Sequence, residues 1–292
     1  MIVVIAFMQG FQEKFKSDII DAQGHARMIP VNPQGRSMDV LSSLDEQDKI
    51  IGISSYVQGQ LLLQNRDYNS IPLAIGLEPD SCSEVLPLNE FLKQGHSVMD
   101  SHDAVDLTPS PTTEALEDEV VFISLEVANR LGVRPAAILQ LIDENKTGLM
   151  DGENGRIEVR RLDPFISSGE WILEILGSNR IMIREEISNF ETVRKIRDGV
   201  IDLGYGNPVF EIKKGSKPFL PGMIFRYQCF RSSTIEVYSP SMIEKAKSDE
   251  MSPPYEVRVG GIIEVPWQGF HSEVILGTAR FMQVMKNQPG SV

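Results

Sequence analysis

The chain has 292 residues, of which 41% are apolar, so it is long enough to bury the core of one large domain or two medium ones. Its 28 Lys and Arg residues against 41 Asp and Glu residues give a formal net charge of -13 at pH 7. Because phosphate binding depends on clustered cations, this charge argues against a nucleic-acid-binding surface. The two cysteines, Cys82 and Cys229, lack the spacing of zinc sites and do not require a disulfide.

The first twenty residues join an apolar start to an amphipathic continuation. Met1 to Met8 is entirely apolar, and Phe7, Phe11 and Phe15 then recur every four residues, as on one face of a helix. Two structures account for this pattern: the end of a membrane-spanning helix that continues into a stalk, or a short buried strand followed by a surface helix. A complete span needs about 20 apolar residues, so the first alternative predicts a missing segment in front.

The part of the chain up to Val133 is predicted to contain antiparallel strands and then a strand that leads into a helix. Three strands are predicted: Ile50 to Gln60, Leu61 to Arg66 and Ile71 to Pro79. Asn65 to Asn69 has the composition of a hairpin turn, and residues 98–118 predict an exposed loop rich in Ser, Thr, Asp and Pro. Glu119 to Val133 predicts a strand followed by a helix that stops at Gly132.

Residues 138–230 differ from the flanking segments in their sequence pattern. They predict a small mixed α+β subdomain inserted between two flanking halves. Five strands are predicted there: RIEVRR, EWILEIL, RIMIREE, PVFEIKK and MIFRYQCF. A helix is predicted from Ser188 to Gly204. The aromatic and Arg residues from Phe225 to Arg231 alternate like a strand, which favours a half-buried sheet edge over a nucleic-acid site. Strands STIEVYSP and YEVRVGGIIEV follow, and FHSEVILGTARFMQVM predicts a strand leading into a helix.

The motifs of common enzymes are missing from the chain. Walker A, GxGxxG, GxSxG and HExxH patterns do not occur. The four histidines, His25, His96, His102 and His271, form no ligand set by spacing and are interpreted as solvated or isolated residues. We therefore predict no catalytic residues, no enzyme activity and no cofactor in this chain.

One acidic segment, from Asp143 to Asn154, resembles a calcium-binding loop of the EF-hand type. Asp143, Asn145, Thr147 and Asp151 stand at ligand positions, with Gly148 at the glycine position. The last position is Asn154 in place of the bidentate Glu, and a strand is predicted where the motif needs a helix. We interpret the segment as a polar loop without a metal ion.

Four separated patches together resemble a family of bacterial ABC-transporter permeases, the lipoprotein-releasing LolC/LolE, MacB and FtsX-like group. The first is VVIAFMQGFQEKF, which resembles the end of the first transmembrane helix of that family, and the second is Tyr56 to Gln60 with Gly76 to Pro79. The third is LEVANRLGV, and the fourth is the order IEVYSPSMIEK, YEVRVGGIIEV and FHSEVILGTARFMQVM. The chain departs from the family pattern after Val133, where residues 134–233 intervene before the next family strand.

This resemblance implies an α+β fold of the MacB-like periplasmic core type. A βαβ-type lobe would carry an inserted mixed α+β lobe and stand on an N-terminal stalk helix. The implied divisions are residues 1–22 for the end of the first transmembrane helix and the stalk, 23–137 for the first part of the core lobe, 138–230 for the inserted lobe and 231–292 for the second part of the core lobe. The remaining transmembrane helices would be missing at both ends.

The resemblance also implies a function at the bacterial inner membrane, with this region mainly in the periplasm. The chain would couple the motion of a partner ABC ATPase subunit to the outward release of a lipoprotein or similar substrate. Other expected partners are a second permease subunit and a periplasmic chaperone or adaptor. Met8, Phe11 and Phe15 would lie near the substrate cavity, or else pack the stalk on the lobe. The alternative is a soluble α+β binding domain, with calcium dependence through the Asp143 segment.

Overall fold

The structure is a computed structural model that describes residues 26, 28, 50, 52–93, 104–141, 156–177, 180–195, 199–213, 215–217, 219–246, 253–264 and 273–286. Over these residues the fold is α+β, with many strands and few helices. The strands are β1 (Tyr56–Gln60), β2 (Leu62–Asn65), β3 (Tyr68–Ser70), β4 (Leu73–Leu77), β5 (Leu92–Lys93), β6 (Ala104–Asp106), β7 (Val120–Ser124), β8 (Ala137–Leu141), β9 (Arg156–Arg161), β10 (Gly169–Gly177), β11 (Arg180–Glu185), β12 (Phe190–Lys195), β13 (Val200–Asp202), β14 (Val209–Lys213), β15 (Ile224–Phe230), β16 (Thr234–Tyr238), β17 (Tyr255–Ile263) and β18 (Val274–Thr278). The helices are α1 (Pro79–Val85), α2 (Leu88–Phe91), α3 (Leu125–Leu131), α4 (Pro240–Ala246) and α5 (Ala279–Met285), with a 3-10 turn at Thr113–Ala115.

Nine strands form the first sheet, in the order β1-β4-β18-β7-β17-β16-β2-β3, with β5 beside β17. The sheet is mixed: β4 is parallel to β18 and β7 is parallel to β17, while the other neighbours are antiparallel. We refer to this sheet with its helices as the first lobe.

The first lobe has a hydrophobic core on each face of its sheet. Helices α3 and α5 cover one face, and α1, α2 and the 3-10 turn cover the other. Strand β7 lies between the two cores, with Val121 and Ile123 in one and Phe122 in the other. This double burial explains why β7 is a continuous apolar run instead of an alternating one.

Local chemistry sets the ends of the two main helices. Gly132 ends α3 with a φ of 61°, a left-handed conformation that glycine adopts without steric cost. Thr278 begins α5: its hydroxyl oxygen accepts a hydrogen bond from the Phe281 N–H at 3.0 Å and its O–H donates to Asp118 at 2.7 Å. Helix α5 lies so close to β4 that a Cβ on Gly76 would stand 2.6 Å from the Met282 Cγ.

The second lobe is a sandwich of two sheets. A six-stranded sheet has the order β12-β11-β10-β15-β8-β6, and a three-stranded sheet has the order β13-β14-β9. Their inner faces share one hydrophobic core. Phe210 of the small sheet lies 4.9 Å from Tyr227 of the large sheet between ring centres, and the Tyr227 hydroxyl donates to the Ile157 carbonyl at 3.3 Å. These contacts join the two sheets across the core.

Most of the strands predicted from the sequence are confirmed. The strand and helix before Gly132, the five strands of the second lobe and the strands β16, β17 and β18 all form. A hairpin turn also forms within Asn65 to Asn69, but it joins β2 to β3, and the predicted partner strand β4 pairs with β1 and β18 instead. The predicted N-terminal helix and residues 1–22 as a whole lie outside the described residues. Within the part of the chain that the structure describes, no helix is both long enough and apolar enough to cross a membrane.

Four predictions about the structure of residues 98–231 are wrong. The helix predicted from Ser188 to Gly204 is replaced by β12 and β13, because the segment FETVRK pairs with β11 across a turn in which Asn189 has a φ of 54°. The described part of the inserted lobe therefore contains only strands, where a mixed α+β lobe was expected.

The loop predicted at residues 98–118 contains β6 and the 3-10 turn, because β6 gains hydrogen bonds from β8. Strand β15 lies inside its sheet, between β10 and β8, and is not an edge.

Candidate functional site

A cleft of about 490 Å³ opens where the two lobes meet. The second lobe contributes a turn before β10 and the residue that follows β15, and the first lobe contributes one residue of β17. The lining residues are Phe165, Ile166, Ser167, Ser168, Arg231 and Arg258. The cleft thus brings together three parts of the chain that are far apart in sequence.

The turn that carries Phe165 and the two serines is held by the buried carboxylate of Asp163. Its Oδ1 accepts a hydrogen bond from the Phe165 N–H at 2.8 Å, and its Oδ2 accepts one from the Gly206 N–H at 3.2 Å. The Ser232 hydroxyl donates to the Pro164 carbonyl at 2.5 Å, which fixes the turn against the strand that leaves the second lobe. These hydrogen bonds within the protein fix the conformation of the turn without a ligand.

Arg258 is half-buried and is held from two directions. Its backbone N–H donates to the Glu119 carbonyl at 2.8 Å, and its guanidinium carbon lies 4.9 Å from the centre of the Phe165 ring. Such a cation–π contact orients the guanidinium and partly removes it from water. Phe165 also stacks with Tyr205, at 5.9 Å between ring centres.

Arg231 is exposed at the mouth of the cleft. Its backbone N–H donates to the Ser168 hydroxyl oxygen at 3.1 Å. The Ser168 O–H therefore remains available to donate a hydrogen bond to another acceptor. Within the described ranges neither Arg231 nor Arg258 forms an ion pair, whereas Arg226 on the neighbouring strand pairs with Glu170 at 3.5 Å. The polar side chains of the described lining are two arginines and two serines. The described part of the lining contains no His, Asp, Glu or Cys that could act as a general base.

A second set of contacts fixes how the lobes are joined. Arg134 and Ser233, one on each connecting segment, exchange two hydrogen bonds: the Arg134 N–H donates to the Ser233 Oγ at 3.0 Å, and the Ser233 N–H donates to the Arg134 carbonyl at 2.9 Å. The Arg134 guanidinium lies 4.9 Å from the centre of the Phe230 ring. These two connections therefore run side by side between the lobes, in addition to the crossings that lead to and from β6.

The residues predicted from the sequence to form a site lie outside the part of the chain that the structure describes. Met8, Phe11 and Phe15 lie outside the described residues, as do Asp143, Asn145, Thr147 and Asp151 of the acidic segment and all four histidines. Among the residues that the structure does describe, no three His, Cys, Asp or Glu side chains are grouped as metal ligands. Glu273, beside His271 in sequence, instead accepts hydrogen bonds from Arg130 and Ser70.

Sequence analysis missed the cleft residues. Arg231 was recognised only as part of an alternating strand, and Arg258 lies in a strand with no distinguishing pattern. The one local signal is Asp163 followed by Pro164, a pair typical of turns. That signal predicts a turn and does not indicate which residues of other strands will face it.

Both cysteines are buried and free, in the cores of different lobes. Burial, and to a smaller extent the carboxylate of Glu185, raises the pKa of the Cys229 thiol from 9.0 to about 12. Burial is also the largest cause that raises the pKa of Cys82. Neither thiol is therefore an activated nucleophile.

Cys229 should make stability depend on alkaline pH. Between pH 9.0 and about 12 the unfolded thiol loses its proton while the folded thiol keeps it, so rising pH favours the unfolded state. We expect this residue to lower the free energy of unfolding by about 1.4 kcal/mol per pH unit in that window. Urea unfolding of the wild type and Cys229→Ala at several pH values measures the difference, and equal slopes for both proteins would contradict it.

No protein-family model matches the chain, and no curated protein matches it either. Its functional interpretation therefore depends on the residues themselves and on their arrangement.

Proposed function

We propose that this chain is the periplasmic portion of an ABC-transporter permease subunit of the lipoprotein-releasing or MacB type. In this role it couples ATPase-driven motion to the outward release of a lipoprotein or similar substrate. The order of four sequence patches along the chain supports the proposal. The observation that carries it is the path of the chain: between α3 and β16 of the first lobe it builds most of a separate β lobe, from β8 to β15, and only β6 joins that lobe from before β7.

An inserted lobe of this kind suits the transmission of motion. The Arg134 and Ser233 hydrogen bonds and the Arg258 contact with Phe165 tie the two lobes at separate points. A displacement that stalk helices deliver to the first lobe would therefore carry the second lobe with it. The fold proposed is accordingly the MacB-like periplasmic core, on a stalk formed by residues 1–22.

The proposal assigns no ATP hydrolysis to this chain. The partners it requires are an ABC ATPase subunit, a second permease subunit, a periplasmic chaperone or adaptor, and the inner membrane that holds the complex. Met8, Phe11 and Phe15 are proposed to face the substrate where the first span meets the periplasm. The basis for that assignment is the family resemblance of the segment that contains them.

Labelling of engineered cysteines in the full-length gene product, in its native cells, tests the location. Ile187 and Tyr68 are 72% and 61% exposed, one in each lobe, so Ile187→Cys and Tyr68→Cys give accessible thiols. After the outer membrane is permeabilised, a membrane-impermeant maleimide should label both variants as fully as it does after complete lysis. The unchanged protein is the control, because Cys82 and Cys229 are buried. Labelling that appears only after lysis would contradict the proposal.

A further inference from the structure

We propose that the cleft between the lobes binds a small organic molecule through an oxyanion, a carboxylate or a phosphate group. This inference goes beyond the proposed function and does not depend on it. It is based on the charge, geometry and size of the cleft.

The described lining of the cleft contains two arginines and no carboxylate, although the chain carries a net charge of -13. Arg231 and Arg258 form no ion pair with described residues, which is also true of arginines outside the cleft such as Arg160 and Arg194. Two guanidinium groups that share a concave surface without a carboxylate offer planar pairs of N–H donors, which match the oxygens of carboxylates and phosphates.

One donor group is also oriented before binding. Phe165 holds the guanidinium of Arg258, whose backbone bonds to Glu119, and Ser168 fixes the backbone of Arg231. Ordering these groups in advance lowers the entropy that a ligand must overcome. Because Arg258 is half-buried, its attraction for an anion is screened less than that of a surface arginine.

The acidic groups of the neighbourhood indicate where the anionic group would bind. Asp163 stands behind the turn with both carboxylate oxygens bonded to backbone N–H groups. Partial loss of solvent, followed by the carboxylates of Asp163, Glu117 and Glu119, raises the pKa of the Tyr205 phenol. Arg258 lies over Phe165, which stacks on Tyr205, and it lowers the same pKa, so these carboxylates lie at the Arg258 end of the cleft and we expect the oxyanion nearer Arg231.

The size of the cleft limits the ligand class. A volume of about 490 Å³ is larger than one inorganic anion needs and lies in the range of small-molecule sites, about 300–1,000 Å³. The described lining is mostly polar, with Ser167 and Ser168 beside the arginines. A polar metabolite with one or two oxyanion groups fits these features.

Isothermal titration calorimetry of the 292-residue chain tests the inference, with citrate as the carboxylate probe and pyrophosphate as the phosphate probe, at fixed ionic strength. We expect binding of at least one probe, and the stronger of the two identifies the preferred group. Arg231→Gln and Arg258→Gln should each weaken binding about tenfold, the loss expected for a hydrogen-bonded charge pair. Ser167→Asp, at an exposed position, should weaken it similarly by placing a carboxylate in the cleft.

Arg226→Gln is the matched control, because Arg226 pairs with Glu170 outside the cleft lining. It should change the affinity by less than about twofold. Circular dichroism checks that each variant is folded, and the exposed positions 231 and 167 keep the test valid if Arg258→Gln does not fold. The inference is overturned if neither probe binds, or if Arg226→Gln weakens binding as much as the cleft variants. Either result leaves the permease proposal to its own labelling test.

Discussion

Replacing Gly76 with Val is expected to lower the free energy of unfolding by about 3 kcal/mol or more, the upper range for overpacking a close contact. A Cβ at Gly76 would lie 2.6 Å from the Met282 Cγ and 2.8 Å from the Thr278 carbonyl oxygen. The Met282 Cγ can rotate away, but the Met282 Cβ, at 2.7 Å, and the Thr278 carbonyl are both fixed by the backbone at the start of α5. Helix α5 would therefore have to move away from β4 and from the core that it covers.

Urea unfolding followed by circular dichroism measures this loss. Gly177→Val is the matched control, since Gly177 also lies in a strand and a Cβ there would have no atom within 4 Å. We expect the control to change stability by less than about 0.5 kcal/mol. Adding Met282→Ala to Gly76→Val should recover part of the loss. Equal losses at both glycines would show that α5 does not approach β4 as described.

Phe210→Ala is expected to lower the free energy of unfolding by about 3–5 kcal/mol, because it removes a fully buried ring and leaves a cavity. Phe210 has no solvent exposure and lies in β14, the central strand of the small sheet. Its ring meets that of Tyr227, which is itself fully buried. The substitution therefore removes a main contact between the two sheets of the second lobe.

Tryptophan fluorescence gives a local measurement of this effect. Trp171 lies in the same core and is 5% exposed, so in a Trp267→Phe background it reports on the second lobe. Unfolding of Phe210→Ala should shift to lower urea, while Phe190→Ala, at a ring 42% exposed, should lose less than about 1 kcal/mol. A similar midpoint for the two variants would contradict the described packing.

Sequence patterns predicted the elements of this fold well where local and tertiary preferences agree. The alternation of β10 and β15 follows from their one buried face, and α3 was predicted because its apolar spacing is followed by Gly132. The segment from Ser188 to Gly204 shows the opposite case. Its spacing suited an amphipathic helix, but hydrogen bonds to β11 favour a strand, and that pairing depends on a partner outside the segment.

The cleft could not have been predicted in this way. Arg231 and Arg258 are ordinary strand or connection residues until the fold places them beside the turn at Phe165. Their neighbourhood depends on the pairing order of strands in two sheets, which a single sequence does not specify. The absence of motif signatures was informative only about familiar enzymes.

The pairing of β4 with β18 has a kinetic consequence. Leu73 stands opposite Val274, so the first sheet joins strands from distant parts of the chain. In the second lobe β10, β11 and β12 pair in chain order, and its most distant strands, β8 and β15, both precede β18. Contacts of high sequence separation form slowly, because a long loop must close before they contribute energy. During synthesis every strand of the second lobe emerges before β18. We therefore expect the second lobe to fold on the ribosome before β18, the last strand of the first sheet, has been synthesised.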